Sequence, residues 1–173
     1  EDLSRGLGDV YKRQEMRFEG IYTPLIAPFY SDFTLNSDAM ASAIDFLVDT
    51  GVHGIIVAGT TGEYYAMSMK ERVFLMNRVK ELLNDRLPMI VGTGAIRTED
   101  SIEYAKQARI AGADAIMIAT PPYAYPTGRE IALHALAIDR EANLPVILYN
   151  YPGRMSVNTV SYTHLTLPTT VFV

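Results

Sequence analysis

Three short runs in this chain gather hydroxyls, glycines and a guanidinium at spacings suited to chemistry on a small carboxylic acid. Gly59-Thr60-Thr61-Gly62-Glu63 sets two adjacent hydroxyls between two glycines. Glycine lets a backbone turn tightly and approach a ligand closely. Paired hydroxyls with nearby N–H groups suit a carboxylate or a phosphate. An ordinary strand-to-loop turn would read the same way. Tyr149-Asn150-Tyr151-Pro152-Gly153-Arg154 adds a phenol that could move protons beside a hydroxyl relay. Arg154, in its Pro-Gly turn, could fork onto a carboxylate, although a lone arginine is more often a solvated surface charge. Tyr123 and Tyr125 lie in a proline-rich loop, Thr120–Pro126, whose aromatics could pack on a second subunit or simply anchor the loop.

These runs must be held by regular elements, and the elements alternate. Ile21–Ala27, Gly54–Ala58, Pro88–Val91, Asp114–Ala119 and Pro145–Tyr149 are short apolar runs. Continuous apolarity over about five residues indicates strands buried on both faces, as in a parallel sheet. Between them lie helical patterns. Ala39, Met40, Ala43, Ile44, Leu47 and Val48 keep the 3–4 spacing of one buried face. Ser68 with Glu71, and Thr127 with Glu130, form capping-box signatures. Thr98, followed by Glu99 and Asp100, is expected to cap another helix. Gly51 and Gly112 stand where C-terminal caps belong. The strand starts recur about every 30 residues, the size of one βαβ unit.

Five strands and four helices in strict alternation predict an α/β fold with a parallel sheet. A doubly wound sheet and a (β/α)8 TIM barrel both fit. The barrel is favoured because no Gly-rich dinucleotide fingerprint follows the first strand. Polar and glycine residues follow nearly every strand, and in a barrel those ends meet at one active face. A barrel takes about 250 residues, so 173 residues predict a barrel truncated to its first five strands and four helices.

Composition removes several functions. Net charge is −5, which argues against a chain built to hold nucleic acid or an anionic membrane. There is no cysteine, so disulfides, zinc ribbons and thiol nucleophiles are excluded, and a cytoplasmic setting is expected. No apolar run approaches the roughly 18 residues of a membrane span. His53, His134 and His164 read as structural, and no metal site is expected. Gly92-Thr93-Gly94 alone is a weak phosphate cradle. Residues 1–15 lack periodicity, and 161–173 are uncharged and Thr-rich. Both flanks resemble translated adapter read-through, so 16–160 is taken as the native part.

Taken together, GTTGE (59–63), TPPY (120–123) and YNYPGR (149–154) resemble the dihydrodipicolinate synthase / N-acetylneuraminate lyase family of class I aldolases, in order and in spacing. The likeness covers Met16–Asn158. It implies a (β/α)8 barrel, usually assembled as a dimer of dimers. It implies condensation or cleavage of pyruvate or another 2-oxo acid with an aldehyde, through a lysine Schiff base and without a cofactor. Under that resemblance Thr60 links two tyrosines in a proton relay, and Tyr149 shuttles protons at the Schiff-base carbon. Tyr123 is lent to the neighbouring subunit. Thr61 and Gly62 hold the 2-oxo-acid carboxylate, and Arg154 receives the carboxylate of the aldehyde. The family's lysine ends the sixth strand, one unit beyond Tyr149, so this chain by itself is expected to be inactive.

Departures from the family pattern at Pro122, Tyr64, Tyr65 and Met155 suggest a divergent branch, such as a 2-keto-3-deoxy sugar-acid or sialic-acid-type aldolase or dehydratase. Pro122 also puts lysine feedback in doubt. A non-catalytic barrel that binds small acids is the alternative of another class. A phosphate-binding barrel enzyme ranks last.

Overall fold

In a computed structural model the chain is described over residues 18–158 and, for the backbone alone, Thr170–Phe172. The flank 1–15, His164 and most of 161–173 lie outside the described residues. Six strands form one sheet: β1 (Tyr22–Pro24), β2 (Gly54–Val57), β3 (Met89–Gly92), β4 (Ala115–Ala119), β5 (Val146–Tyr149) and β6 (Thr170–Phe172). The spatial order is the chain order, and every pair is parallel. Doubly wound sheets reverse their order at a switch point. A sheet that only advances, each strand beside its predecessor, is the wall of a barrel.

Two differences from the expected count follow from local chemistry. Thr170-Val171-Phe172 pairs with Val146–Leu148 as a sixth strand, in keeping with the strand preference of β-branched and aromatic residues. Pro152–Met155 closes one extra helical turn, with proline at its start, where a missing N–H costs nothing. β1 is also shorter than its apolar run. Pro24 and Pro28 have no N–H to donate, and after β1 a bond from Leu25 N–H to Ile56 O continues the pairing.

The remaining helices are α1 (Ser37–Asp49), α2 (Met69–Leu83), α3 (Thr98–Ile110) and α4 (Gly128–Ala142); the short turn Pro152–Met155 is α5. Both capping boxes form, Ser68 with Glu71 and Thr127 with Glu130. Gly51 and Gly112 follow α1 and α3 in the left-handed region. The expectation for Thr98 needs correction. Arg97 occupies the N-cap of α3 without a side-chain cap bond, because the Thr98 hydroxyl instead meets Nδ1 of His134 on α4 at 2.9 Å.

Strand residues alternate between two apolar layers. Ile55, Val57, Met89, Val91, Ile116, Ile118, Val146 and Leu148 pack with the helices in the main core. Ile56, Ile90, Ala115, Met117 and Ile147 point to the other side, where Tyr22 and Phe18 join them. This second face lines a hollow of about 380 Å³. Helices therefore cover one face of the sheet, and the concave face is apolar as a barrel interior is. Ala105 and Ala108 of α3 and Ala135 of α4 are fully buried, and such small residues let these two helices pack closely.

Candidate active site

Parallel pairing sends the C-terminal end of every strand to the same rim, and the three sequence runs follow β2, β4 and β5 there. Thr60 and Tyr149, 89 residues apart in the chain, line one narrow cavity of about 20 Å³ with Gly59, Tyr64, Gly92 and Gly94. A space that size holds a single water. Thr60 and Tyr149 both border this small, mostly apolar space. A threonine and a tyrosine hydroxyl brought within reach of one another, directly or through one water, can pass a proton by exchange of their hydrogens.

The turn after β2 is fixed by its own backbone. Gly62 N–H donates to Gly59 O at 3.0 Å, and Glu63 N–H donates to Thr60 O at 3.1 Å. Gly62 is buried against the carbonyl of Leu25, where a Cβ would be tight at 3.0 Å. Its amide is thus spent inside the turn. Thr61 beside it is exposed. Ala58 and Glu63, at the two ends of the turn, both take left-handed φ values of 53° and 55°. Such a conformation in a non-glycine residue marks a backbone held by its surroundings.

Tyr123 and Arg154 are not brought to the Thr60–Tyr149 cavity. Tyr123 is 92% exposed, with a left-handed φ of 71°, and Tyr125 is exposed as well. Arg154 lies exposed in α5, its amide donating to Tyr151 O at 3.0 Å. The Tyr149 and Tyr151 rings stand 6.0 Å apart, and Asn150 Nδ2 donates to Asn158 Oδ1 at 2.8 Å. Among the described residues no three His, Asp or Glu side chains converge as metal ligands, and no helix is long and apolar enough to cross a membrane. His53 is occupied structurally, its Nδ1 accepting from Ile21 N–H at 3.0 Å.

Sequence reasoning missed two site neighbours. Tyr64 is half-buried, and burial pushes its phenol up from the ordinary tyrosine range, with the nearby Arg72 charge opposing and Tyr149 reinforcing the shift. Arg72 is buried in α2, where loss of solvent lowers its pKa from the usual arginine value; it remains a cation. A signal was present: Arg72 falls on the same stripe as Leu75, Met76 and Val79, where a charge has no place without a partner.

The sequence profile described as the dihydrodipicolinate synthetase family matches residues 17–169. The 4-hydroxy-tetrahydrodipicolinate synthase of Bacillus subtilis (strain 168) is 40% identical over 139 residues, which are 80% of this chain and 48% of that protein. The synthase of the same name from Methanocaldococcus jannaschii is 37% identical over 141 residues, 82% of this chain and 48% of that protein. Among solved structures, the chloride-inhibited dihydrodipicolinate synthase from Acinetobacter baumannii complexed with pyruvate superposes with a TM-score of 0.86 at 33% identity, covering 90% of this chain and 55% of that one. The chain spans about half the length of the curated relatives it matches.

Proposed function

The chain belongs to the dihydrodipicolinate synthetase family and folds as the first part of its (β/α)8 barrel, and from that premise we propose that it supplies the proton-relay and carboxylate-binding half of a class I aldolase-type lyase. The reaction joins or cleaves pyruvate, or a related 2-oxo acid, and an aldehyde through a lysine Schiff base. The observation that carries this reading is the convergence of Thr60 and Tyr149 on one cavity at the strand ends.

Imine formation moves protons at the carbonyl oxygen of the 2-oxo acid, which leaves as water. A threonine–tyrosine pair serves this by taking and returning a proton without stranding charge. Such positioned acid–base groups contribute roughly 10²–10⁴-fold. Thr61 and Gly62 lie on the same turn as Thr60, the place for the 2-oxo-acid carboxylate. With the Gly62 amide occupied in the turn, Thr61 carries more of that contact. Arg154 waits at the rim for the carboxylate of the aldehyde. Tyr123, almost wholly exposed, completes the relay in a second copy of the chain, as part of a homo-oligomer in the cytoplasm.

The nucleophile must come from elsewhere. Lys70, Lys80 and Lys106 are the described lysines, and all three sit on α2 or α3. Lys80 pairs with Asp85 at 2.8 Å and Lys106 with Glu141 at 2.9 Å. A Schiff-base lysine instead needs a desolvated pocket that lowers its pKa. Residues 16–158 joined to the remaining half of the Bacillus subtilis relative should form a pyruvate-dependent enzyme, and Tyr149→Phe should slow it by about 10²-fold or more. An active chimaera indifferent to Tyr149→Phe would overturn the relay.

A further inference from the structure

Helix α2 enters the core with one charged residue on its buried stripe. Arg72 is 2% exposed, and a cation there is costly unless its N–H groups are met. Nη1 donates to Gly94 O at 3.0 Å and Nη2 to Gly92 O at 2.7 Å. The guanidinium carbon lies 3.4 Å from the centre of the Tyr104 ring and 5.2 Å from that of Tyr64. Only Nε lacks a partner among the described residues.

The two carbonyl partners are Gly92, which ends β3, and Gly94, in the loop just after it. The end of β3 presses on Ala58, since a Cβ at Gly92 would run into the Ala58 carbonyl, and Ala58 directly precedes the Gly59–Glu63 turn. Tyr64 follows that turn and shares the cavity of Thr60 and Tyr149. On its far side Tyr64 borders a larger hollow of about 250 Å³ together with Arg72 and Tyr104. Its two carbonyl partners and the Tyr64 ring therefore belong to residues that line the site cavity, while the Tyr104 ring holds the guanidinium from the side of the larger hollow.

We propose that Arg72 is the positioning residue of the site: by holding the Gly92 and Gly94 carbonyls and the Tyr64 ring from behind, it fixes the turn that carries Thr60 and Thr61. The proposal rests on the reading of this site as one for a 2-oxo acid. Arg72 touches no substrate. Its planar fork spans two carbonyls while stacking on rings, which a lysine ammonium cannot do.

The test uses the whole chain carrying ¹³Cζ-tyrosine and ¹⁵N, with Tyr64→Phe assigning the Tyr64 signal and pyruvate as the probe. In Arg72→Met the Tyr64 phenol should titrate at higher pH, because burial remains and the opposing charge is gone. Pyruvate should shift the Thr61 and Gly62 amides with about tenfold weaker affinity, as expected for losing one charge-assisted pair of bonds. Arg72→Lys should keep the Tyr64 titration near its original place but not the affinity. If Arg72→Met does not fold, Arg72→Lys decides alone, since it separates charge from the fork. A folded Arg72→Met, or an Arg72→Lys, with unchanged pyruvate affinity overturns the proposal. Should pyruvate leave the amides of the unaltered chain unmoved while the Tyr64 titration and those amide positions follow Arg72 as expected, the positioning role stands and the 2-oxo-acid reading falls.

Discussion

The α-carbon of Gly92 lies so close to the carbonyl oxygen of Ala58 that no side chain fits between them. The ends of β2 and β3 therefore meet backbone to backbone beneath the candidate site. Gly92→Ala must push two strand ends apart and should destabilise the chain by about 1–3 kcal/mol or more. Gly59→Ala is the control, since its Cβ would meet only Ile56 and Met117 side chains at 3.6 and 3.9 Å. Urea unfolding of the two variants checks this. Equal midpoints would mean the contact is not tight.

Both capping boxes should matter for stability and for its acid limb. Ser68→Ala and Thr127→Ala each remove a side chain that satisfies an N-terminal amide, a loss of about 1 kcal/mol. Hydrogen bonds from the Ser68 hydroxyl and amide hold Glu71 below the usual carboxylate range, and those from the Thr127 amide and hydroxyl do the same for Glu130. A carboxylate with a lowered folded-state pKa stabilises above its unfolded value, and that stability is lost as pH falls through the folded one. Acid unfolding below about pH 4.5 should therefore be shallower in the Ser68→Ala, Thr127→Ala double variant.

His134 predicts a second pH limb at milder acidity. It is buried between α3 and α4, with Nδ1 on the Thr98 hydroxyl and Nε2 without a partner among the described residues. Burial lowers its pKa, so the unfolded chain binds a proton that the folded chain resists. Stability from this group is complete above the unfolded value, about 6.5, and falls as pH drops below it. Urea midpoints measured from pH 7.5 down to 5 should decline, and His134→Gln should flatten that decline. The same slope in both would place the titrating group elsewhere.

Much of this was legible in the chain because periodicity is local. The strand–helix alternation, the two capping boxes and the glycines after α1 and α3 are each set within a few residues. Strand order was not local, and only the sheet itself separates an advancing barrel wall from a doubly wound sheet. Thr98 reads as a cap because its hydroxyl suits one, yet a histidine 36 residues away claims it. In the sequence Tyr64 stands out only as a departure from the family pattern, and Arg72 only as a charge on an apolar stripe. Their meaning depends on Gly92, Gly94 and Tyr104, which lie beside them only after folding. Tyr123 and Arg154 do not line the cavity of Thr60 and Tyr149, and both are exposed, so nothing in the packing around them marks a role.

The most direct test of the account is borohydride trapping in the presence of pyruvate, read by mass spectrometry. It should be run on this chain and on residues 16–158 completed by the C-terminal half of the Bacillus subtilis relative. The account predicts no reduced pyruvate adduct on the chain alone and a single lysine adduct on the chimaera, in its C-terminal half. An adduct on Lys70, Lys80 or Lys106 of the isolated chain, or a folded chimaera that traps nothing, would contradict it.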